Sequence, residues 1–193
     1  ALGTWYPKGG MHKIVEGMTM LALEQGVQFK FNSEVTQFTL QNNAIHEVIV
    51  NGKKHQFDYV VAGADYHFVE QKLLPASHRQ YTESYWQSRS MAPSSLIFYL
   101  GLNKKINGLL HHTLFFDEDF GVHAREIYEN PQWPTAPQFY VSCTSQTDPT
   151  VAPAGHENIF ILIPVAPDLK DDAATREKYF NQVMERFEHM MGQ

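Results

Sequence analysis

Along the first part of the chain, Met11, Ile14, Val15, Met18, Leu21 and Ala22 recur three and four residues apart, which lines one face of an α-helix, and Gly26 follows as its terminator. From Val27 the period changes to two. Val27, Phe29 and Phe31 alternate with Gln28, Lys30 and Asn32, which predicts a strand closed by a turn at Asn32-Ser33. A meander is expected next, with strands over 35–40, 44–50 and 55–62. Its turns are Asn42-Asn43 and Asn51-Gly52, residue types that accept the positive φ angles of tight hairpins. The third strand runs through Tyr59-Val60-Val61-Ala62 into Gly63-Ala64-Asp65, where the glycine lets the backbone turn and Asp65 is placed to cap a helix from Tyr66. Pro75 ends that helix, and 77–87 is a second helical stretch of mixed pattern.

Further on, the segments 94–101, 113–116, 138–143 and 158–165 are apolar or alternating, and loops rich in Pro, Asp and Thr separate them. They predict an antiparallel sheet in a second lobe. A closing helix opens at Asp171-Asp172 and sets Phe180, Val183, Met184, Phe187 and Met190 on one face. The fold class is therefore α+β: an antiparallel β-sheet lobe with flanking helices, joined to a β-meander that ends in a local α/β unit of strand, glycine turn and capped helix.

The length of 193 residues allows one large domain or two small lobes. With 15 Lys+Arg against 21 Asp+Glu and no basic cluster, nucleic acid is set aside as the main partner, because phosphate binding needs concentrated positive charge. A single Cys143 forms no internal disulfide and no thiolate zinc site. No run of ~18 apolar residues predicts a bilayer span. Ala1-Leu2-Gly3-Thr4-Trp5 has no initiator Met, basic n-region or apolar h-region, so it is no signal peptide and is expected to lie inside a longer protein. Aromatic residues make up 13% and charged residues only 19%, against a usual ~25%. A well-filled core accounts for that surplus, and so does the wall of a pocket or tunnel for a large apolar ligand.

Polar chemistry is sparse. His111, His112, Asp117, Glu118, Asp119 and His123 form the densest set of potential metal ligands, yet their spacing matches no H-e-x-x-h type of motif, and an acidic surface loop accounts for them equally. Ser94, Ser95, Ser142, Thr144 and Ser145 lie in no nucleophile elbow, and Cys143 has no basic neighbour. Asp58, Asp65 and Asp148 are potential bases, but Asp65 suits a helix cap and Asp148, before Pro149, a turn. Two glycines in Tyr6-Pro7-Lys8-Gly9-Gly10-Met11 precede a helix whose first N–H groups are free, the makings of a ligand-facing turn or of an ordinary helix start. The phosphate-cradling glycine fingerprint of a dinucleotide site is absent from the sequence.

In order and spacing, Gly3-Thr4-Trp5-Tyr6-Pro7-Lys8-Gly9-Gly10-Met11, Ser33-Glu34-Val35 and Val60-Val61-Ala62-Gly63-Ala64-Asp65 resemble the middle of bacterial phytoene desaturases, carotenoid dehydrogenases of the FAD-dependent, amine-oxidase-like flavoprotein superfamily. The resemblance continues through 92–101, 111–116, 128–131, Asp148-Pro149 and 153–158. It implies a middle portion of an FAD/NAD(P)-binding-fold flavoprotein: 1–65 as crossing helix and partial FAD lobe with its meander, and 66–193 as substrate-binding lobe. On that resemblance Val35, Gly63 and Ala64 contact the cofactor FAD, bound by the longer parent rather than by this portion alone. Tyr6, Gly9, Gly10 and Met11 line the crossing to the substrate. Catalytic residues stay unassigned, since on that resemblance the main flavin contacts and the acidic and basic groups implicated in catalysis are expected outside this chain.

The implied reaction introduces double bonds into a C40 carotenoid, a polyene gripped through apolar area and through aromatic and thioether contacts. The implied location is cytoplasmic, peripherally on a membrane surface where such a substrate dissolves. A retinol-saturase-like or amine substrate, a non-catalytic apolar-ligand module, and a metal enzyme at His111, His112 and His123 remain as alternatives.

Overall fold

The strand periods read from the sequence resolve into two antiparallel sheets in the computed structural model, which describes Gly3 and residues 5–192. The readings that fall on Ala1, Leu2, Thr4 and Gln193 lie outside the described residues. The chain does not divide at residue 65. Gly26–Ser90 forms one compact unit, and the residues up to Gln25 and from Met91 onward form the other. Helix α1 (His12–Glu24) thus belongs with the larger sheet. None of its residues is buried, and it ends before Gly26, whose φ of +82° suits a left-handed terminator.

In the smaller unit, β1 (Val35–Gln41), β2 (Ala44–Val50) and β3 (Lys53–His55) run in that order as an antiparallel meander. Both hairpin turns have positive φ at their two central residues, 51° and 61° at Asn42 and Asn43, 48° and 74° at Asn51 and Gly52. This hairpin geometry matches the right-handed strand twist. Phe38 and Val48 sit opposite one another and are buried with Val69 and Leu73. Those two come from the wider π turn Val69–Leu73, which continues α2 (Tyr66–Phe68), a helix that Asp65 caps by accepting from the Phe68 amide at 2.8 Å. Their packing on the meander is why 66–90 separates from the second lobe.

Within the same unit Glu70 is 1% exposed and accepts from the amides of Gln80 and Tyr81 and from the Trp86 indole, at 2.6, 3.1 and 3.0 Å. Burial works against its charge, but these donors outweigh it and hold the carboxyl below the usual Glu range. The helical stretch expected over 77–87 is only a single 3₁₀ turn (Ala76–His78) and the short α3 (Glu83–Gln87).

Two expected strand segments are not strands. Residues 27–31 and 59–62 lie outside both sheets, and Phe31, Tyr59 and Val61 are 80%, 92% and 95% exposed. Alternation sets side-chain direction, but a strand also needs a neighbour for its N–H and C=O groups, and among the described residues neither segment has one.

The larger sheet contains β4 (Ser94–Leu102), β5 (His112–Phe115), β6 (Phe139–Ser142) and β7 (Glu157–Val165), in the order β4-β7-β6-β5 and antiparallel throughout. A helix absent from the sequence reading, α4 (Phe120–Tyr128), lies between β5 and β6. Its buried residues are His123, Glu126 and Ile127, a largely polar face that carries no hydrophobic period. Helix α5 (Ala173–Met191) is capped by Asp172, which accepts from the Thr175 amide at 2.9 Å.

The buried line of α5 is Tyr179, Val183 and Phe187, packed on Ile159, Ile161, Ile163 and Val165 of β7. The expected stripe is therefore rotated. Tyr179 is buried because its hydroxyl donates to the Pro134 carbonyl at 2.6 Å, while Met190 is 37% exposed. Truncation of Phe187, 2% exposed, leaves a cavity that the sheet cannot close. Phe187→Ala is expected to lower the unfolding free energy of this unit by about 3–5 kcal/mol, and Met190→Ala by less than about 1 kcal/mol, measured by urea denaturation.

Candidate functional site

Residues directly opposite in an antiparallel ladder share a face, so the register of the larger sheet fixes what its second face presents. One row is Ile97, Leu162, Tyr140 and Leu114, and the next is Tyr99, Phe160, Ser142 and His112. This face is not covered as the α5 face is: Tyr99 is 79% and Leu114 61% exposed. Its rings touch, with centroids 5.6 Å apart for both Tyr99–Phe160 and Tyr140–Phe160.

Over this face lies a cavity of about 1010 Å³, walled by Tyr99, Tyr140, Phe160 and Asn158 from the sheet and by Trp5, Tyr6, Gly10 and Met11 from the segment before α1. Tyr6 meets His111 edge-on, with ring centroids 4.7 Å apart.

A hydrogen-bond relay holds that segment in place. The Gly9 amide donates to Asp148 Oδ2 at 2.6 Å, while Asp148 Oδ1 accepts from the Thr150 amide and hydroxyl at 3.0 and 2.6 Å. The Thr150 and Gly9 donors hold the Asp148 carboxyl below its usual range. Gly9 and Gly10 take φ of +91° and +100°, backbone that side chains with a Cβ rarely adopt, so this approach to Asp148 needs glycine. The loop carrying Asp148 is itself pinned by the start of β7. Asn158 accepts from the Thr144 hydroxyl and donates to the Val151 carbonyl, both at 2.9 Å.

On the other face of β7, Glu157 is fully buried and accepts from Ser145 and from Gln146 (2.8 Å), with the Lys105 ammonium at 3.2 Å. Burial favours the neutral acid, but the Ser145 hydroxyl and Lys105 outweigh it and hold the carboxyl below the usual Glu range. Burial pushes the neighbouring Cys143 thiol up, away from the thiolate a nucleophile needs.

Of the residues expected to meet a substrate, Tyr6, Gly10 and Met11 line the cavity, whereas Gly9 acts through Asp148. Of those expected to meet a cofactor, Val35 begins β1 opposite Val50, and Gly63 and Ala64 are exposed in the strip leading to the Asp65 cap. A Cβ at Gly63 would meet nothing within 4 Å, so this strip is unpacked. These three residues supply no cation and no phosphate cradle, so they do not fit a pyrophosphate.

The potential metal ligands are engaged elsewhere. His111 Nδ1 pairs with Thr147 Oγ1 at 2.6 Å, and His112 Nδ1 with the Tyr140 hydroxyl. Burial, then the proximity of His112, lowers the His111 pKa. Asp117 forms a two-pronged pair with Arg186, and Asp119 caps α4 by accepting from the Gly121 amide at 2.7 Å. Among the described residues no group of three or more His, Cys, Asp or Glu side chains is placed to hold a metal.

Tyr99, Tyr140 and Phe160 escaped the sequence reading as site residues, and Asp148, read there as a potential base and a turn former, caps its turn and also holds Gly9. The signal for the wall was Leu96-Ile97-Phe98-Tyr99-Leu100, apolar at every position and thus bound to show an apolar side chain on both faces of its strand.

The family model for flavin containing amine oxidoreductase matches residues 1–193, and the chain belongs to that family. Within it, the chain is 37% identical over 183 residues to the carotenoid 3,4-desaturase of Haloarcula japonica, covering 95% of this chain and 37% of that protein. It is 31% identical to the phytoene desaturase of Cercospora nicotianae over 89% of this chain and 28% of the relative. To the zeta-carotene-forming phytoene desaturase of Myxococcus xanthus it is 29% identical over 95% of this chain and 36% of the relative. The chain thus spans about a third of the length of these relatives. A solved oxidoreductase from Methanosarcina mazei superposes with a TM-score of 0.68 at 16% identity, over 96% of this chain and 40% of that one, a likeness of fold.

If Asp148 is what holds the turn over the cavity, Asp148→Ala is expected to raise amide exchange at Gly9 and Gly10 by about tenfold or more while the β7 amides stay protected, read by hydrogen–deuterium exchange. Acid should release the same loop from its other side. Because the Glu157 pKa is lowered in the fold, its contribution is complete above the ordinary Glu value of about 4.3 and is lost as pH falls through the lower folded value. Unfolding midpoints measured from pH 6 down to pH 3 are expected to fall, and to fall less steeply in Glu157→Gln.

Proposed function

We propose that this chain is the polyene-holding part of an FAD-dependent carotenoid desaturase, a flavoprotein that introduces double bonds into a long apolar isoprenoid. The observation that carries the reading is the uncovered apolar face of the larger sheet, with Tyr99, Tyr140 and Phe160 forming the wall of a cavity of about 1010 Å³. A hydrocarbon offers no charge or hydrogen bond, so its affinity comes from buried area at roughly 25 cal/mol per Å² and from contact with aromatic faces. The names of the three relatives support the same class of substrate.

When bound, FAD would supply the two-electron oxidation by which a C–C bond becomes C=C with loss of a hydride and a proton. This chain's residues orient the polyene and exclude water around it. In this reading Tyr6, Gly10 and Met11 form one wall of the substrate path, and Val35, Gly63 and Ala64 touch the edge of the cofactor. The protein sits on the cytoplasmic side of a membrane and draws its substrate from lipid, with no part for nucleic acid. No described helix is long and apolar enough to cross a membrane, which is compatible with peripheral contact.

The full-length protein containing this chain, loaded with FAD and given an acyclic C40 polyene in liposomes, is expected to yield a product absorbing at longer wavelength. A folded, flavin-loaded protein that leaves polyenes unchanged and oxidises an amine would overturn the reading. Tyr99→Asp puts a charge on the wall at a position 79% exposed, where folding tolerates it. It is expected to lower kcat/KM for the polyene by about tenfold or more without shifting the melting temperature.

A further inference from the structure

Turning C–C into C=C removes a proton as well as a hydride, and an apolar cavity offers few groups to take it. Among the side chains lining the larger cavity, only His111 and His112 titrate near neutral pH. They stand side by side where β5 begins, with ring centroids 4.4 Å apart.

His111 is held from two sides. Its Nδ1 pairs with Thr147 Oγ1 at 2.6 Å, and the Tyr6 ring meets it edge-on. A hydroxyl has one hydrogen to give, and the Thr144 carbonyl lies 3.4 Å from Thr147 Oγ1 to receive it. Thr147 Oγ1 then accepts from His111 Nδ1–H, which leaves Nε2 as the bare nitrogen of a neutral ring. No described residue bonds to that Nε2. His112 is the more exposed of the two, and its Nδ1 is occupied by Tyr140. Burial, then the neighbouring His112, disfavours charge on His111, so the ring rests in the neutral state a base needs.

We infer that His111 is the catalytic base of the oxidation, with Nε2 taking the proton from the polyene carbon next to the one that gives up hydride. The electron pair of the broken C–H bond becomes the second bond of C=C, the hydride goes to the flavin oxidant, and the imidazolium returns its proton to solvent. His112 is a positioning residue that acts through His111, since a charge on either ring opposes one on the other. The inference deepens the proposed function and rests on it for the bond that is oxidised. It places a catalytic group within this chain, where the motif resemblance expected none.

The test compares the full-length protein, loaded with FAD and given an acyclic C40 polyene in liposomes, with His111→Asn, whose side-chain amide keeps a donor for Thr147, and with His111→Ala. Both variants are expected to lose about a hundredfold in kcat with KM within about twofold, and added imidazole to raise turnover of His111→Ala about fivefold or more. The charged or titratable groups on the elements around His111 are Tyr6 and Lys8 before α1, His112 and Tyr140 on the sheet, and Asp148 beyond Thr147; of these His112 acts on its charge. Its pKa is lowered, so kcat of the natural protein is expected to fall only below the ordinary His value of about 6.5, a limb absent from His111→Asn. Nitrogen-15 NMR of the histidines reads the base without turnover: His111 is expected neutral at pH 7 with its hydrogen on Nδ1. A charged ring or a hydrogen on Nε2 would overturn the inference, as would a loss of kcat that imidazole does not relieve together with an acid limb that persists in His111→Asn. Desaturation unchanged in both variants overturns the base and keeps the desaturase reading. Oxidation of an amine in place of the polyene, with the same loss and rescue, does the reverse.

Discussion

Strand β7 lies between β4 and β6, so hydrogen bonds to both neighbours occupy its backbone, and its side chains alternate strictly between two faces. Ile159, Ile161, Ile163 and Val165 fill one face, while Phe160, Leu162 and Pro164 stand on the other. Helix α5 covers the first with Tyr179, Val183 and Phe187. The second has α4 at one end and the Trp5–Met11 segment at the other, and between them it is open. A central strand with two apolar faces and one full cover must find a second apolar surface, and the rest of the unit is arranged around that requirement.

The two faces are coupled through adjacent residues. Glu157 and Asn158 begin β7 and point to opposite sides, yet both grip the loop from Thr144 to Val151, Glu157 from the core through Ser145 and Gln146, Asn158 from the cavity side through Thr144 and Val151. A fully buried carboxylate is costly unless it is paired, so Lys105 and its three side-chain donors fix its place closely. That loop presents Asp148, and Asp148 holds Gly9. The wall formed by Tyr6 and Met11 therefore depends on electrostatics in the core on the opposite side of the sheet.

Local chemistry was readable in the sequence wherever a single residue type decides the outcome. Asp65 and Asp172 cap helices, Asn-Asn and Asn-Gly turn hairpins, Gly26 terminates α1, and the four strands of the larger sheet fall within a residue or two of their periods. Features that depend on a partner were not readable. Residues 27–31 and 59–62 alternate as strands do, but nothing in a period says whether a neighbour is there to pair. Helix α4 was hidden because its buried face is His123 and Glu126 rather than a row of aliphatics. The site divides in the same way. Motif resemblance pointed to Tyr6, Gly10 and Met11, whereas Tyr99 and Phe160 look the same in sequence whether they fill a core or wall a cavity, and only their exposure separates the two.

The geometry of the open face also sets the shape of what it can hold. From Asn158, beside the glycine turn, to Pro164, beside α4, β7 advances six residues, or about 20 Å at 3.4 Å per residue. Along that path lie Phe160 and Leu162, flanked by Tyr99 and Ile97 on β4 and by Tyr140 on β6. The side chains along this path have few rotatable bonds. Such a wall loses little entropy on contact and matches a stiff, extended hydrocarbon better than a compact one. Polar groups gather beside Asn158, where Ser142, Thr144, His111 and His112 also line the cavity, and Phe160, Leu162 and Ile97 leave the stretch beyond them apolar. The register of β7 with its two neighbours thus sets both where this face is apolar and where it turns polar.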